Sequence, residues 1–208
     1  MNIKRYFDIW ISLILIYLLL PLFLFISALI VMKDGFPVFF KQKRVGKNGH
    51  LFTMYKFRSM TAGDHSTSYK THDVQIKQHI TRVGSILRKT SLDELPQLIN
   101  ILKGDMSFIG PRPVLPAHLE QYNNYQMQRL YMKPGVTGLA QVKGRNTLPW
   151  SKRIEYDVQY VENYSIWLDI KIISKTIKVV LMREGVATNQ TMGEMEDFNS
   201  DKSGEDKK

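Results

Sequence analysis

Two adjacent carboxylates, Asp93 and Glu94, stand between leucines in the segment KTSLDELPQLIN, residues 89–100. A carboxylate held in a fixed place can serve catalysis. The same pair can also belong to the start of a helix, where acidic side chains suit the positive end of the helix dipole. The first question that the sequence raises is which of the two roles applies.

Local pattern alone does not decide between these roles. Ser91 and Glu94 match a capping box, which would begin a helix at Ser91. Pro96 would then fall in the second turn, where its ring and missing N–H are costly. Pro96 fits better at the first position of a helix that runs to Gly104. Asp93 and Glu94 would then lie just before that helix, and both interpretations remain open.

Three cations have positions that could suit a phosphate. Lys56 and Arg58 are two residues apart on a predicted strand, so they point to one side and can grip a phosphate or carboxylate. A solvated strand face explains them equally. Arg112 lies between Pro111 and Pro113, which restrict its backbone. That restriction suits a phosphate ligand, and a structural turn is the alternative.

The elements around these residues can be read from turns and periodicity. Residues 38–58 predict a β-hairpin with a turn at Asn48-Gly49. Residues 61–80 are polar and predict a loop, and the amphipathic piece that follows brings Arg88 near the carboxylates. In KPGVTGLAQVKGRN, three close glycines precede Arg145; such glycines allow a ligand to approach the backbone, or serve plain turns. No spacing matches GxGxxG or a P-loop.

Composition favours a phosphate-rich partner. The chain of 208 residues has no Cys and a net charge of +10, and residues 41–89 hold eleven Lys/Arg against two Asp. A nucleotide, a nucleic acid or an anionic membrane would suit this charge. Nucleic acid is disfavoured, since no RNP, helix-turn-helix or zinc pattern occurs. The acidic segment 191–208 predicts a disordered tail.

The segment from Ile9 to Met32 has 24 residues without a charge, enough to cross a bilayer. It is too long for a signal peptide and lacks a cleavage site. Pro21 lies near its middle, and basic residues flank both ends. A re-entrant hairpin would keep both basic flanks in the cytoplasm, as the positive-inside rule prefers. A plain spanning helix remains the alternative.

A second amphipathic segment lies near the end of the chain, in SIWLDIKIISKTIKVVLMREG. Its apolar residues recur at helical spacing beside a stripe of lysines. Such a helix can lie in the membrane interface with its lysines at the headgroups, or it can cover an ordinary core. The apolar stripe comprises Ile166, Ile170, Ile173, Ile177 and Val180, and the lysines are Lys171, Lys175 and Lys178.

Taken in order, these motifs resemble the small bacterial sugar transferases, the monotopic phosphoglycosyl transferases that start glycan assembly on polyprenol phosphate. The resemblance runs from Lys4 to about Phe198 and rests on KRYFDI, YKFRSM, SLDELPQLINILKGDMSFIGPRP, KPGVTGLAQVKGRN and EYDVQYVENYSIWLDIKI. The long central string is the most specific. The family often has Ser before the Pro that breaks its membrane helix, whereas Leu20 stands here.

The resemblance implies transfer of a sugar phosphate from a UDP-sugar to undecaprenyl phosphate, with release of UMP and a requirement for Mg²⁺. Asp93 would attack the β-phosphate to form a phosphosugar–enzyme intermediate, and it would also bind the metal. Glu94 would orient Asp93 or handle a proton. The cations that would neutralise phosphate charge are Lys56, Arg58, Arg88, Arg112 and Arg145.

The expected fold is α+β and mainly helical, with an N-terminal re-entrant helix–break–helix, a small β-hairpin, and amphipathic interfacial helices around a cytoplasmic active site. Its expected parts are a membrane segment at 1–34, a catalytic domain at 35–190, and the tail at 191–208. The expected location is the cytoplasmic face of the bacterial inner membrane.

The resemblance does not name the sugar. Similarity to the short members, which have no extra N-terminal spanning helices, favours an N-acetylated amino sugar. Two rival functions stay open. One is a non-catalytic membrane-surface protein that binds anionic lipid, and the other is an enzyme that transfers a whole sugar and releases UDP.

Overall fold

The computed structural model describes residues 3–61, 79–144 and 148–181. These residues are mainly helical and include two small two-stranded sheets, which confirms the expected α+β class. The tail at 191–208 and most of the polar loop lie outside the described residues. The elements are α1 (Ile3–Asp34), β1 (Phe39–Val45), β2 (Leu51–Phe57), α2 (Arg82–Thr90), α3 (Gln97–Lys103), β3 (Ser107–Ile109), α4 (Asn124–Met127), β4 (Gly135–Thr137), α5 (Leu139–Lys143), α6 (Trp150–Glu162) and α7 (Ile166–Leu181).

Helix α1 continues through Pro21 as one element of 32 residues. The sequence predicts two helical arms separated by a break, and the structure instead has an uninterrupted helix at this position. Pro21 removes one hydrogen-bond donor from the helix. Apolar side chains on both sides of it pack on the rest of the protein, Ile16 before it and Ile26 and Ile30 after it. This packing holds the helix together across the proline.

The predicted hairpin is confirmed. Strands β1 and β2 pair antiparallel, from Phe39 opposite Phe57 to Val45 opposite Leu51. The connection is a short 3₁₀ turn in which Asn48 has a φ of 55° and Gly49 a φ of 82°. Asn and Gly are the residues that adopt this left-handed backbone most readily.

Helix α3 is packed between the hairpin and α1. Leu98 and Ile101 of α3 join Phe52 and Met54 of β2 in a buried apolar cluster. The fully buried Asn100 adds two hydrogen bonds to β2, because its Nδ2 donates to the Thr53 carbonyl at 2.7 Å and its Oδ1 accepts from the Tyr55 N–H at 3.0 Å. Helix α3 is therefore fixed against the middle of β2.

Strands β3 and β4 pair in parallel, and their backbones approach each other closely at two glycines. Gly110 follows β3 and Gly135 begins β4; a Cβ on Gly135 would lie 2.1 Å from the Gly110 nitrogen. Only glycine fits this approach of two backbones. After this close approach, the next residues, Pro111–Val114, lead toward the hairpin, where Val114 bridges to Val45.

Helix α7 presents an exposed apolar face. The four members of the predicted stripe whose side chains are described lie on the outside of the protein. The helix also covers the core, but with its other face, where Ile172 is 1% exposed. The exposed apolar side chains of α7 are Ile166, Trp167, Ile170, Ile173 and Ile177.

Candidate active site

Asp93 and Glu94 lie in a 3₁₀ turn, Leu92–Glu94, between α2 and α3. Ser91 ends α2 in a left-handed conformation, with φ 58° and ψ 16°, and its side chain makes no capping hydrogen bond. The capping-box interpretation is therefore wrong. Pro96 is the N-cap of α3, so the alternative in which the carboxylates precede a helix is confirmed.

Glu94 is bound by two cations through one oxygen. The Lys56 Nζ lies 2.7 Å from Glu94 Oε1, and the Arg112 Nη2 lies 3.3 Å from the same atom. Burial alone would favour the neutral acid, but the charges and hydrogen bonds of Lys56 and Arg112 outweigh it and lower the pKa of Glu94 to about 2. Glu94 is thus a permanently ionised partner that holds both cations in place.

Asp93 has a different environment. It is 8% exposed, and within the described ranges no residue donates a hydrogen bond to its carboxylate. Burial raises the pKa of Asp93; the nearby charge of Lys56 opposes that shift and the charge of Glu94 adds to it. The Asp93 carboxylate is therefore partly desolvated and uncommitted, which is the condition of an available nucleophile or metal ligand.

A shallow pocket adjoins Glu94. It measures about 260 Å³, including the part open to solvent. Gln97, at 3% exposure, lines it from α3, and Arg44 lines it from β1. Sequence reasoning missed both residues, although the position of Gln97 one turn after Asp93 is a signal that could have found it. The other lining residues are Met54, Lys56, Glu94, Arg112, Pro113 and Gly135.

The remaining predicted cations lie in different places. Arg88 Nε donates to Ser59 Oγ at 3.0 Å, and its charge opposes the rise that burial causes in the pKa of Asp93. Arg58 is 7% exposed and donates to the carbonyls of Asp34 and Gly35 at the end of α1, at 2.6 and 2.5 Å. Strand alternation does not bring Arg58 to Glu94 beside Lys56, because the described strand ends at Phe57. Arg145 lies outside the described residues.

The described residues contain no group of three or more acidic or His side chains that could hold a metal. Mg²⁺ commonly binds through one or two carboxylates and takes its other ligands from substrate phosphates and water. The Asp93 carboxylate accepts no hydrogen bond from a described residue, whereas one oxygen of Glu94 already binds Lys56 and Arg112.

The described residues thus place a buried carboxylate without a hydrogen bond beside one paired with two cations, an arrangement whose charge suits phosphate groups. A model of the family described as bacterial sugar transferase matches residues 1–183. The chain therefore belongs to the bacterial sugar transferase family.

Relatives extend this finding. The chain is 45% identical over 195 residues to the uncharacterized sugar transferase EpsL of Bacillus subtilis, covering 93% of this chain and 95% of EpsL. It is 42% identical over 197 residues to the undecaprenyl-phosphate galactose phosphotransferase of Salmonella typhimurium, covering 88% of this chain and 41% of that protein. It is 47% identical over 170 residues to the UDP-glucose:undecaprenyl-phosphate glucose-1-phosphate transferase of Xanthomonas campestris, covering 77% and 35%. The chain thus spans less than half of the latter two.

Proposed function

We propose that this protein transfers a sugar 1-phosphate from a UDP-sugar to undecaprenyl phosphate and releases UMP, as a membrane step of polysaccharide or glycoconjugate synthesis. One observation carries the proposal: two adjacent carboxylates have opposite environments, with Glu94 tied to two cations and Asp93 buried without a hydrogen bond from any described residue. Neighbouring acids whose pKa values are driven apart have separate catalytic roles. The names of the Salmonella and Xanthomonas relatives support the substrate class.

In the proposed reaction, a carboxylate oxygen of Asp93 attacks the β-phosphorus of the UDP-sugar. The bond between that phosphorus and the bridging oxygen breaks, and the electron pair leaves with UMP. An oxygen of undecaprenyl phosphate then attacks the same phosphorus, which frees the Asp93 carboxylate and gives the sugar–diphosphate lipid. Asp93 would hold Mg²⁺, which would neutralise charge on the phosphates.

The cations have defined parts in this reaction. Lys56 and Arg112 are fixed by Glu94 at the edge of the pocket, so they are already in place when phosphate charge shifts toward UMP. Preorganised charge of this kind needs no rearrangement at the moment of reaction. Arg88 adds positive charge on the Asp93 side. Arg58 is excluded from this proposed set, because carbonyls of α1 use its guanidinium.

The proposed location is the cytoplasmic face of the bacterial inner membrane. Helix α1 is long and apolar enough to cross a membrane, with a mean hydropathy of 2.9 and only 11% of its apolar window buried. The exposed apolar face of α7 supplies a second membrane contact. The Lys4–Asp169 ion pair, at 2.8 Å, joins the start of α1 to α7, so the two helices lie next to each other at that point.

The placement of both ends of α1 on one side of the membrane is supported by the contacts that those ends make. Lys4 at the first end bonds to the Ile109 carbonyl and to Asp169, and the carbonyl of Asp34 at the other end accepts from Arg58. A spanning helix would carry one end to the far side of the membrane, away from the body that holds both ends here. We therefore propose that both ends of α1 stay on the cytoplasmic side.

The test is an assay with purified protein, undecaprenyl phosphate, Mg²⁺ and a panel of UDP-sugars. The panel holds N-acetylated amino sugars, which the family resemblance favours, together with UDP-galactose and UDP-glucose, which the relatives' names add. We expect UMP release with at least one of them. Release of UDP would indicate transfer of a whole sugar, and release of neither would favour the lipid-binding alternative.

A further inference from the structure

The segment Pro111–Val114, here called the strap, carries Arg112 to Glu94. The Arg112 side chain is 55% exposed, and Glu94 holds it through one described ion-pair contact at 3.3 Å. Pro111 and Pro113 have no N–H, so the strap has few donors of its own and its carbonyls are its main hydrogen-bonding groups. Two of these accept backbone hydrogen bonds at 2.9 Å, Pro111 from the N–H of Gly135 and Val114 from the N–H of Val45.

Of the two carbonyls between these, that of Pro113 accepts from Arg44 and that of Arg112 accepts from Arg129. Its Nη2 donates to the Arg112 oxygen at 2.9 Å and to the Asp157 carboxylate, and its Nη1 donates to the Tyr122 hydroxyl at 2.6 Å. Arg129 is 3% exposed and Asp157 is 1% exposed. A planar guanidinium can serve three partners at fixed angles, which a single amine cannot do.

Stability alone is a weak reason for this arrangement. Removing two charges from water costs about as much as their attraction returns, so a buried ion pair often stabilises a fold no better than apolar side chains of similar size. The feature that apolar side chains could not reproduce is the hydrogen bond to the Arg112 carbonyl. Asp157 and Tyr122 orient the guanidinium that makes it.

We propose that Arg129 is a positioning residue, which holds the main chain of Arg112 so that the Arg112 guanidinium faces Glu94 and the phosphates of the substrate. Its effect on turnover rests on the proposed function, whereas its effect on the strap does not. A measurement of the strap itself therefore separates a failure of this inference from a failure of the proposed function.

The test uses the full-length protein with an apolar swap, Arg129→Met with Asp157→Leu, which removes both charges together and leaves no unpaired one. Should this variant fail to fold, Arg129→Lys replaces it, since lysine keeps a charge for Asp157 with fewer donors for the strap. The matched control is Val158→Ala, a fully buried neighbour of Asp157 on α6 that packs on the Tyr122 ring; its truncation weakens the same packing but removes no donor or acceptor of the Arg129 network.

The first measurement is hydrogen exchange of the Gly135 and Val45 amides, which bond to the strap. We expect faster exchange at both amides in the swap variant and protection close to wild type in Val158→Ala. Unchanged protection in a folded swap variant would overturn the inference, whether or not the wild type releases UMP.

The second measurement is turnover in two backgrounds. The swap should lower UMP release by about 100-fold in the wild type, since a displacement of about 1 Å at a catalytic group can cost that much. In an Arg112→Ala background the same swap should add less than about threefold, because the residue it positions is gone. Equal losses in both backgrounds would assign Arg129 a structural role alone. Val158→Ala should retain turnover in both.

Discussion

At the scale of residues, the site depends on the difference between Asp93 and Glu94. Glu94 gathers Lys56 and Arg112 onto one oxygen, while Asp93 stays buried and unbonded among the described residues. The sequence places the two acids side by side but cannot distinguish them, because their environments come from β2 and from the strap, 38 and 18 residues away in the chain. Two predictions follow from this arrangement.

Arg112→Ala should lower turnover by about 100- to 1,000-fold, because one preorganised donor to a developing charge has an effect of that size. Stability should change by less than about 0.5 kcal/mol, because the side chain is more than half exposed. UMP release and thermal unfolding measure the two effects. Lys47→Ala, an exposed cation of the hairpin turn, is the control and should leave turnover unchanged. Turnover near the wild-type rate in Arg112→Ala would remove Arg112 from the site.

Glu94 should make folding stability depend on pH in the acid range. Its pKa falls from 4.5 to about 2 on folding, so its stabilising effect is complete above pH 4.5 and is lost as the pH falls from 4.5 toward 2. Thermal unfolding of the metal-free protein at pH of about 5 and about 2.5 measures this effect. Wild type should unfold at a higher temperature than Glu94→Gln at the upper pH, and the gap should close at the lower one. A gap that stays constant would mean that Lys56 and Arg112 do not hold Glu94 ionised.

At the scale of elements, turn chemistry was the most informative part of the sequence. Asn48-Gly49 located the hairpin, and Pro96 and Gly104 marked the ends of α3 within one residue. Strand periodicity failed to predict the position of the Arg58 side chain. Arg58 lies just past the last strand residue, and its guanidinium binds the end of α1 instead of the site. The role of Arg129 was also beyond sequence reasoning, since its partners come from three separate segments.

Gly135→Ala tests whether the close approach of β3 and β4 positions the strap. An added Cβ would lie 2.1 Å from the Gly110 nitrogen, so the two backbones must separate. We expect lower thermal stability and a loss of UMP release of at least about tenfold, since small displacements at a catalytic group have large effects. Gly49→Ala is the control, because its Cβ would meet nothing within 4 Å and only its φ of 82° is strained. Gly49→Ala should lose some stability and keep its turnover. Equal losses of turnover in Gly49→Ala and Gly135→Ala would contradict a link between the close approach of the two strands and the site.

At the scale of the whole molecule, the exposed apolar surfaces of α1 and α7 lie on a basic body whose site suits phosphates. The sequence predicted both apolar segments and the cations, because residue composition and the helical spacing of the apolar residues are visible in the sequence itself. It could not show that α1 continues through Pro21, since that outcome depends on the packing of Ile16, Ile26 and Ile30 against distant residues. The predicted division at residues 34 and 190 stays a prediction.

Single cysteines at Asn2 and Lys33 test the re-entrant course, since the chain has no other cysteine. With an impermeant thiol reagent, we expect neither position to react in intact cells and both to react in inverted membrane vesicles. Labelling of only one of them from outside would establish a spanning helix instead. A variant that releases UMP at the wild-type rate ensures that the labelled protein is folded.

The central claim is that Asp93 carries the sugar phosphate between the two substrates. The direct measurement is the intact mass of the enzyme after incubation with its UDP-sugar and Mg²⁺, without undecaprenyl phosphate. We predict a mass increase of one sugar phosphate, located on the peptide that contains Asp93 and absent from Asp93→Asn, which keeps the shape of the side chain and removes the attacking charge. The adduct should disappear when undecaprenyl phosphate is added. An adduct on another residue, or UMP release only when both substrates are present together, would contradict covalent catalysis by Asp93.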